Sequence, residues 1–140
     1  MIVIDASNMI IGRLAAYAAK KALLGETVRI INCENAYISG NKKHVLDVMN
    51  QKRRRGTHST GPFYPRYADK IVKRTIRGML PHTQPKGKEA FGRIKCYISV
   101  PIELEKEKAV KVPGADISKL VDVKYTDLKT LTRILGAKVE

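Results

Sequence analysis

This sequence predicts an α/β fold around a parallel sheet, on three observations. Ile2, Val3 and Ile4 form a short apolar run, helical periodicity follows, and a second apolar run spans Thr27 to Asn32. Strand, helix, strand is the βαβ unit of a parallel sheet with a right-handed crossover. A helical pattern from Ala68 to Leu80 precedes another strand pattern that begins at Ile94. The third observation is size: 140 residues at 44% hydrophobic suit one domain with a real core.

Taken in order, the elements are as follows. After the first strand, Asp5 to Asn8 is polar, and Ser7 and Asn8 are candidate helix caps. Ile11, Leu14, Ala15, Ala18, Ala19, Ala22 and Leu23 then recur at helical spacing, and Gly25 sits where a helix end favours glycine. The many alanines suit a helix lying close on a sheet, and Gly12 fits the same close packing. After the second strand come a shorter extended piece, Ala36 to Ile38, and the turn Ser39-Gly40-Asn41. A second helix runs from Lys42 to Arg54, marked by Val45, Leu46, Val48 and Met49. Residues 57–67, THSTGPFYPRY, are a loop by their prolines and glycine. In the third helix Ile71, Val72, Ile76, Met79 and Leu80 fall opposite Lys70, Lys73, Arg74 and Arg77. Pro81 ends it. His82 to Arg93 reads as a basic loop, followed by a half-buried strand in which Ile94, Cys96, Ile98 and Val100 alternate with Lys95, Tyr97 and Ser99. Pro101 closes that strand. Residues 102–124 are charged and irregular, and Thr126 is placed to cap a last helix through Leu128, Leu131, Ile134 and Leu135. The chain therefore reads as a body, 1–101, and a C-terminal extension, 102–140, within one domain.

Charge carries the functional signal. The net charge is +14, and residues 42–95 hold 15 Lys or Arg against three acids (Asp47, Asp69, Glu89), a net of +12. Residues 101–140 are nearly balanced, with eight basic and seven acidic residues. A concentrated excess on a small domain is the footprint of a polyanion, with nucleic acid the usual one. An anionic membrane surface would want a basic helix with large apolar residues facing lipid, and the apolar faces here are committed to a core. No apolar run approaches the roughly 18 residues of a membrane span, and MIVIDASNM lacks the pattern of a secretory signal.

Four basic segments adjoin one another. Lys42 and Lys43 open the second helix, which ends in Lys52, Arg53, Arg54 and Arg55. The loop after it holds His58, Tyr64 and Arg66. The third helix presents Lys70, Lys73, Arg74 and Arg77, and the next segment adds His82, Lys86, Lys88 and Arg93. Such cations neutralise phosphates, and exposed aromatics stack on splayed bases. Tyr64 and Tyr67 either stack in this way or pin the loop to the domain. No helix-turn-helix or zinc-finger pattern favours sequence-specific DNA reading.

Other chemistries find little support. GxGxxG and GxxxxGK[ST] are absent, so Gly12 at a helix start makes no nucleotide site. His44, His58 and His82 have no partners at metal-ligand spacing, and no carboxylate pair for acid–base work is evident. Cys33 and Cys96 have no CxxC spacing and read as small buried hydrophobes in a reducing compartment, without disulfide or zinc.

Arg77-Gly78-Met79-Leu80-Pro81, the Lys-rich segment, Gly92-Arg93 and Lys95-Cys96-Tyr97 together closely resemble the signature of the ribosomal protein L-thirteen family of the large subunit. Ile4-Asp5-Ala6 with Ile11-Gly12-Arg13-Leu14-Ala15 resembles its opening strand and helix. Asn35-Ala36 with Ser39-Gly40-Asn41-Lys42 resembles a second landmark, and Gly61 to Tyr67 with Arg77 to His82 looks like the archaeal and eukaryotic branch. The match covers residues 2–101 well and the tail loosely. The resemblance implies a three-layer α/β/α fold with a mainly parallel four-stranded sheet and a peripheral C-terminal extension. It implies a structural protein of the cytoplasmic large ribosomal subunit that binds large-subunit rRNA early in assembly, beside neighbouring ribosomal proteins. No cofactor, catalysis or small-molecule substrate follows from it. The alternative from another class is an RNA-modifying or RNA-processing enzyme using the same basic face.

Overall fold

The first strand–helix–strand unit forms as its pattern requires. In the computed structural model, which describes residues 1–138, β1 (Ile2–Asp5) leads into α1 (Ile11–Leu23) and returns as β2 (Val28–Ile31). The two strands are parallel, with Ile4 opposite Ile30. Strand alternation sorts their side chains. Ile4, Val28 and Ile30 join the main core, whereas Val3 and Ile31 pack in a second cluster. On α1, Leu14, Ala15, Ala18 and Ala22 are fully buried. Downstream come β3 (Tyr37–Ser39), α2 (Lys42–Arg54), α3 (Ala68–Gly78), α4 (Pro85–Gly92), β4 (Ile94–Cys96), β5 (Ala109–Val110), β6 (Tyr125–Asp127) and α5 (Leu128–Ile134).

The chain folds as a three-layer α/β domain. Its central sheet has the order β4-β2-β1-β5, and all its pairings are parallel. Helices α1, α3 and α4 pack together over one face. On the other, the 3-10 turn Ile102–Leu104 brings Leu104, with Tyr97, against Val3 and Ile31. The C-terminal segment supplies the edge strand β5, and β6 pairs antiparallel with β3 in a second small sheet. It is anchored through Leu128, Leu131 and Leu135, all fully or almost fully buried in the main core.

Several local expectations change. Ser7 does not cap α1, whose N-cap is Ile10. Ser7 instead donates to the Asp5 carboxylate from its N–H (3.0 Å) and hydroxyl (2.8 Å), and Asn32 adds a third bond at 3.0 Å. Burial opposes ionisation of Asp5, but these hydrogen bonds outweigh it and hold the carboxyl below its usual pKa. A Cβ on Gly12 would meet nothing within 4 Å, so close helix–sheet packing does not require glycine there.

The segment 82–93 is not a loop. Pro85 occupies the first turn of α4, where its missing N–H costs nothing. Gly87 is there because α4 crosses the chain at Pro81, where a Cβ would overlap the Pro81 carbonyl. The strand after it stops at Cys96, since Ser99 adopts φ 59° and turns its N–H to the Glu34 carboxylate at 3.1 Å. Met79 is exposed although Leu80 is buried. Asp127, not Thr126, caps α5, accepting from Thr130 N (3.0 Å) and Oγ1 (2.7 Å), while Thr126 is buried in β6 opposite Ile38. Cys33 lies in a 3-10 turn, Cys33–Asn35, rather than a strand. Both cysteines are free thiols; the neighbouring Cys96 and burial push the Cys33 thiol pKa up, away from reactivity.

Candidate nucleic-acid interface

The candidate interface is built where α2 ends. Lys52, Arg53 and Arg54 occupy its last turn, where the helix dipole favours cations. At Gly56 the chain turns with φ 86°, and Thr57 and Thr60 close the turn through a Thr57 N–H to Thr60 carbonyl bond of 2.8 Å and a hydroxyl pair at 2.6 Å. The loop then folds back between α2 and α3. Tyr64 is half-buried there, with the Lys52 ammonium 5.6 Å from its ring centroid and the Arg74 guanidinium at 4.8 Å. Burial raises the Tyr64 phenol pKa, with Arg74 opposing. Arg74 also donates to the Phe63 carbonyl at 2.8 Å. Tyr64 therefore pins the loop, and its ring is already covered by cations.

Three clefts follow from this packing. One lies between the end of α2 and the loop and is lined by Arg53, Arg55, His58 and Arg66 with Phe63 and Tyr64. A second holds Lys52, Arg55 and Arg74 around Tyr64. The third lies on α3, with Lys70, Lys73, Arg74 and Arg77 beside Phe63 and Phe91. Arg55, Tyr64, Arg74 and Phe63 are shared between clefts, so the surface is continuous. Among the described residues, no Asp or Glu lines any of the three. The nearby acids are placed elsewhere: Asp47 is exposed on α2, Glu89 pairs with Arg93 at 3.5 Å, and Asp69 sits in the first turn of α3 with one carboxylate oxygen enclosed.

The other basic residues are not gathered here. Lys42 and Lys43 stand at the start of α2, about 18 Å along the helix axis from Arg54 by the 1.5 Å rise per residue. His82, Lys86 and Lys88 are exposed around α4. Arg93 donates to the Ala22 carbonyl at the end of α1 (3.2 Å) and pairs with Glu89. Within the Lys52–Arg55 run itself, Arg53 differs from its neighbours: its guanidinium donates to the Leu135 carbonyl at 2.6 Å, tying α2 to the end of α5, whereas Arg54 and Arg55 are exposed.

One aromatic residue gains importance. Phe63 is 67% exposed and belongs to two of the clefts. Its neighbour Tyr64 gives the same signal in the sequence, and only the tertiary contacts of Tyr64 separate them. Among the described residues, no three His, Cys, Asp or Glu side chains group as metal ligands, and no helix is long and apolar enough to cross a membrane.

Known proteins agree with the resemblance read from the sequence. The profile of the family described as Ribosomal protein L13 matches residues 1–103. The large ribosomal subunit protein uL13 of Methanococcoides burtonii is 44% identical over 138 residues, covering 99% of each chain. That of Methanosarcina barkeri is 41% identical over 139 residues, again covering 99% of each. The Picrophilus torridus protein of the same name is 40% identical over the full length of both. With the family profile over nearly three-quarters of its length and relatives alignable end to end, the chain belongs to the ribosomal protein L13 family.

Proposed function

We propose that this chain is a structural constituent of the large ribosomal subunit, in the cytoplasm, that binds large-subunit rRNA through its basic surface and supports assembly of that RNA. The observation that carries the reading is continuity: three clefts from α2, the loop 55–67 and α3 share walls, and cations line all of them. An isolated basic run is ordinarily a solvated face. Cations concentrated over aromatic rings, with the acids turned elsewhere, form a site of high positive potential. Phosphates entering it release condensed counterions, which drives binding and makes it steeply salt-dependent. Phosphate contacts position the protein, and RNA shape selects where it sits.

In this reading residues 1–101 are the RNA-binding body and the C-terminal segment braces it through α5. Lys42, Lys43, His82, Lys86 and Lys88 add outlying contacts. Neighbouring proteins of the subunit complete the partners, and the role is static, with no cofactor or substrate turnover. The test is fractionation of cell particles at moderate salt. Co-sedimentation with large subunits is expected. A free soluble pool that turns over RNA would instead favour an enzyme and end this reading.

A further inference from the structure

Four aromatic side chains border the basic surface: Phe63, Tyr64, Tyr67 and Phe91. Three already have a cation over the ring. Lys52 and Arg74 cover Tyr64, Lys70 lies 5.6 Å from the Tyr67 centroid, and Lys73 lies 4.9 Å from that of Phe91. Among the described residues, Phe63 has none, and it is the most exposed of the four. It is also held in place. A Cβ on Gly61 would lie 3.1 Å from ring atom Cδ2, so the absence of a side chain at Gly61 leaves room for the ring to pack against the backbone. The Phe63 carbonyl is fixed by Arg74, and Pro62 and Pro65 restrict the backbone on both sides. A single exposed aromatic needs no explanation by itself. A braced aromatic forming the wall between two basic clefts is a different case, since ordering it for a ligand costs little entropy.

We propose that Phe63 is a base-stacking residue. An unpaired nucleotide of the RNA lays its base on the open face of the Phe63 ring, and the phosphates on either side of it enter the two clefts that meet at Phe63, the one lined by Arg55 and Arg66 and the one lined by Lys73 and Arg77. This rests on the RNA-binding reading above and adds to it the kind of RNA recognised: a single-stranded or bulged position, since a base inside a duplex has no free face. RNA is favoured over a protein segment because both flanking clefts are positive and unlined by acids.

The test uses the full chain with two probes of equal length, single-stranded oligouridylate and a blunt RNA duplex. Phe63→Ala should bind the single strand about 5- to 150-fold more weakly, the range expected for losing one base–aromatic stack. The salt slope should not change, because no phosphate contact is lost, and duplex binding should stay as in the parent. The chain has no Trp, so Phe63→Trp introduces a single indole. It should retain binding, and its emission should be quenched by the single strand but not by the duplex. Phe63→Leu keeps an apolar side chain over Gly61 without a π face and should behave as Phe63→Ala, which guards against misfolding of the smaller variant. The stacking role is overturned if Phe63→Ala and Phe63→Leu bind the single strand as the parent does, if both probes weaken equally, or if the indole is not quenched. Unchanged RNA binding with poorer co-sedimentation with large subunits would assign Phe63 to a protein neighbour and overturn it too. If the parent binds neither probe, the RNA-binding reading itself fails, an outcome distinct from stacking failing alone.

Discussion

Residues 52–77 and residues 82–93 both read as basic in the sequence, yet the fold uses them differently. In the first, the cations of α2, the loop and α3 converge on shared clefts over aromatic rings. In the second, Arg93 is taken up by the Ala22 carbonyl and by Glu89, and Lys86 and Lys88 stand on the exposed side of a short helix. Sequence therefore reports how much charge there is, and topology decides how much of it is free and concentrated. The largest effect should come from removing the concentrated charge. A Lys70→Ala/Lys73→Ala/Arg77→Ala variant should flatten the log–log salt slope of RNA binding by about 2 to 3 if each residue touches a phosphate. A Lys86→Ala/Lys88→Ala variant should change it by less than about 1, because at most one of these two outlying lysines reaches a phosphate. Equal losses per residue in titrations at several salt concentrations would erase the distinction between the regions.

The next effect divides the first region from within. Arg53, Arg54 and Arg55 are consecutive and look equivalent, but Arg53 bonds the Leu135 carbonyl while Arg54 and Arg55 face solvent. Arg53→Ala should cost about 1.5 kcal/mol of folding stability, the lower end for a hydrogen bond to a charged group, because the site is only part-buried. Arg54→Ala should stay within about 0.5 kcal/mol. Urea unfolding of the two variants decides it, and matching midpoints would mean the Arg53 contact contributes nothing.

Much of this is legible in the sequence, for physical reasons. The β1–α1–β2 unit is long and its apolar period is clean. The basic face of α3 follows from a 100° rotation per residue. What was hidden depends on contacts between distant segments. β5 is two exposed residues, Ala109 and Val110, with no alternation to read. Helix α4 was masked by Pro85, Gly87 and Gly92, which are breakers by propensity; Pro85 sits in its first turn and Gly87 marks a crossing with Pro81. Phe63 and Tyr64 are adjacent aromatics, and only the packing of Lys52 and Arg74 shows that one ring is covered and the other open.

A smaller effect sharpens the contrast from the second region. Arg93→Ala should lower stability by about 1 kcal/mol through loss of the Ala22 carbonyl bond and leave the salt slope of RNA binding unchanged. A flatter slope would show that Arg93 reaches phosphate after all and that the second region is also part of the site.

The smallest effect concerns the support beneath the first region. Helix α5 is held at both ends: Arg53 binds the carbonyl of Leu135 just past its last turn, and Asp127 caps its first. Burial opposes ionisation of Asp127, but its bonds from Thr130 outweigh that, with Lys42 adding attraction, so the carboxyl titrates below the ordinary 3.8. A carboxylate depressed on folding contributes stability that is present above its unfolded pKa and lost as pH falls through the folded one. Asp127→Asn keeps a good cap but removes the charge, so its cost at neutral pH should be below about 1 kcal/mol. The gap between parent and variant should be constant above pH 5, begin to close near the ordinary carboxylate value, and vanish below the folded pKa. Urea unfolding across that range measures it. A gap that does not close in acid would mean that the loss comes from packing and that the charge of Asp127 does not hold α5. Asp127 lies at the end of α5 away from Arg53, so the variant should leave the RNA salt slope intact at neutral pH. If the slope changed, the first region would depend on the C-terminal segment more closely than the packing of α5 on α3 and the Arg53 bond imply.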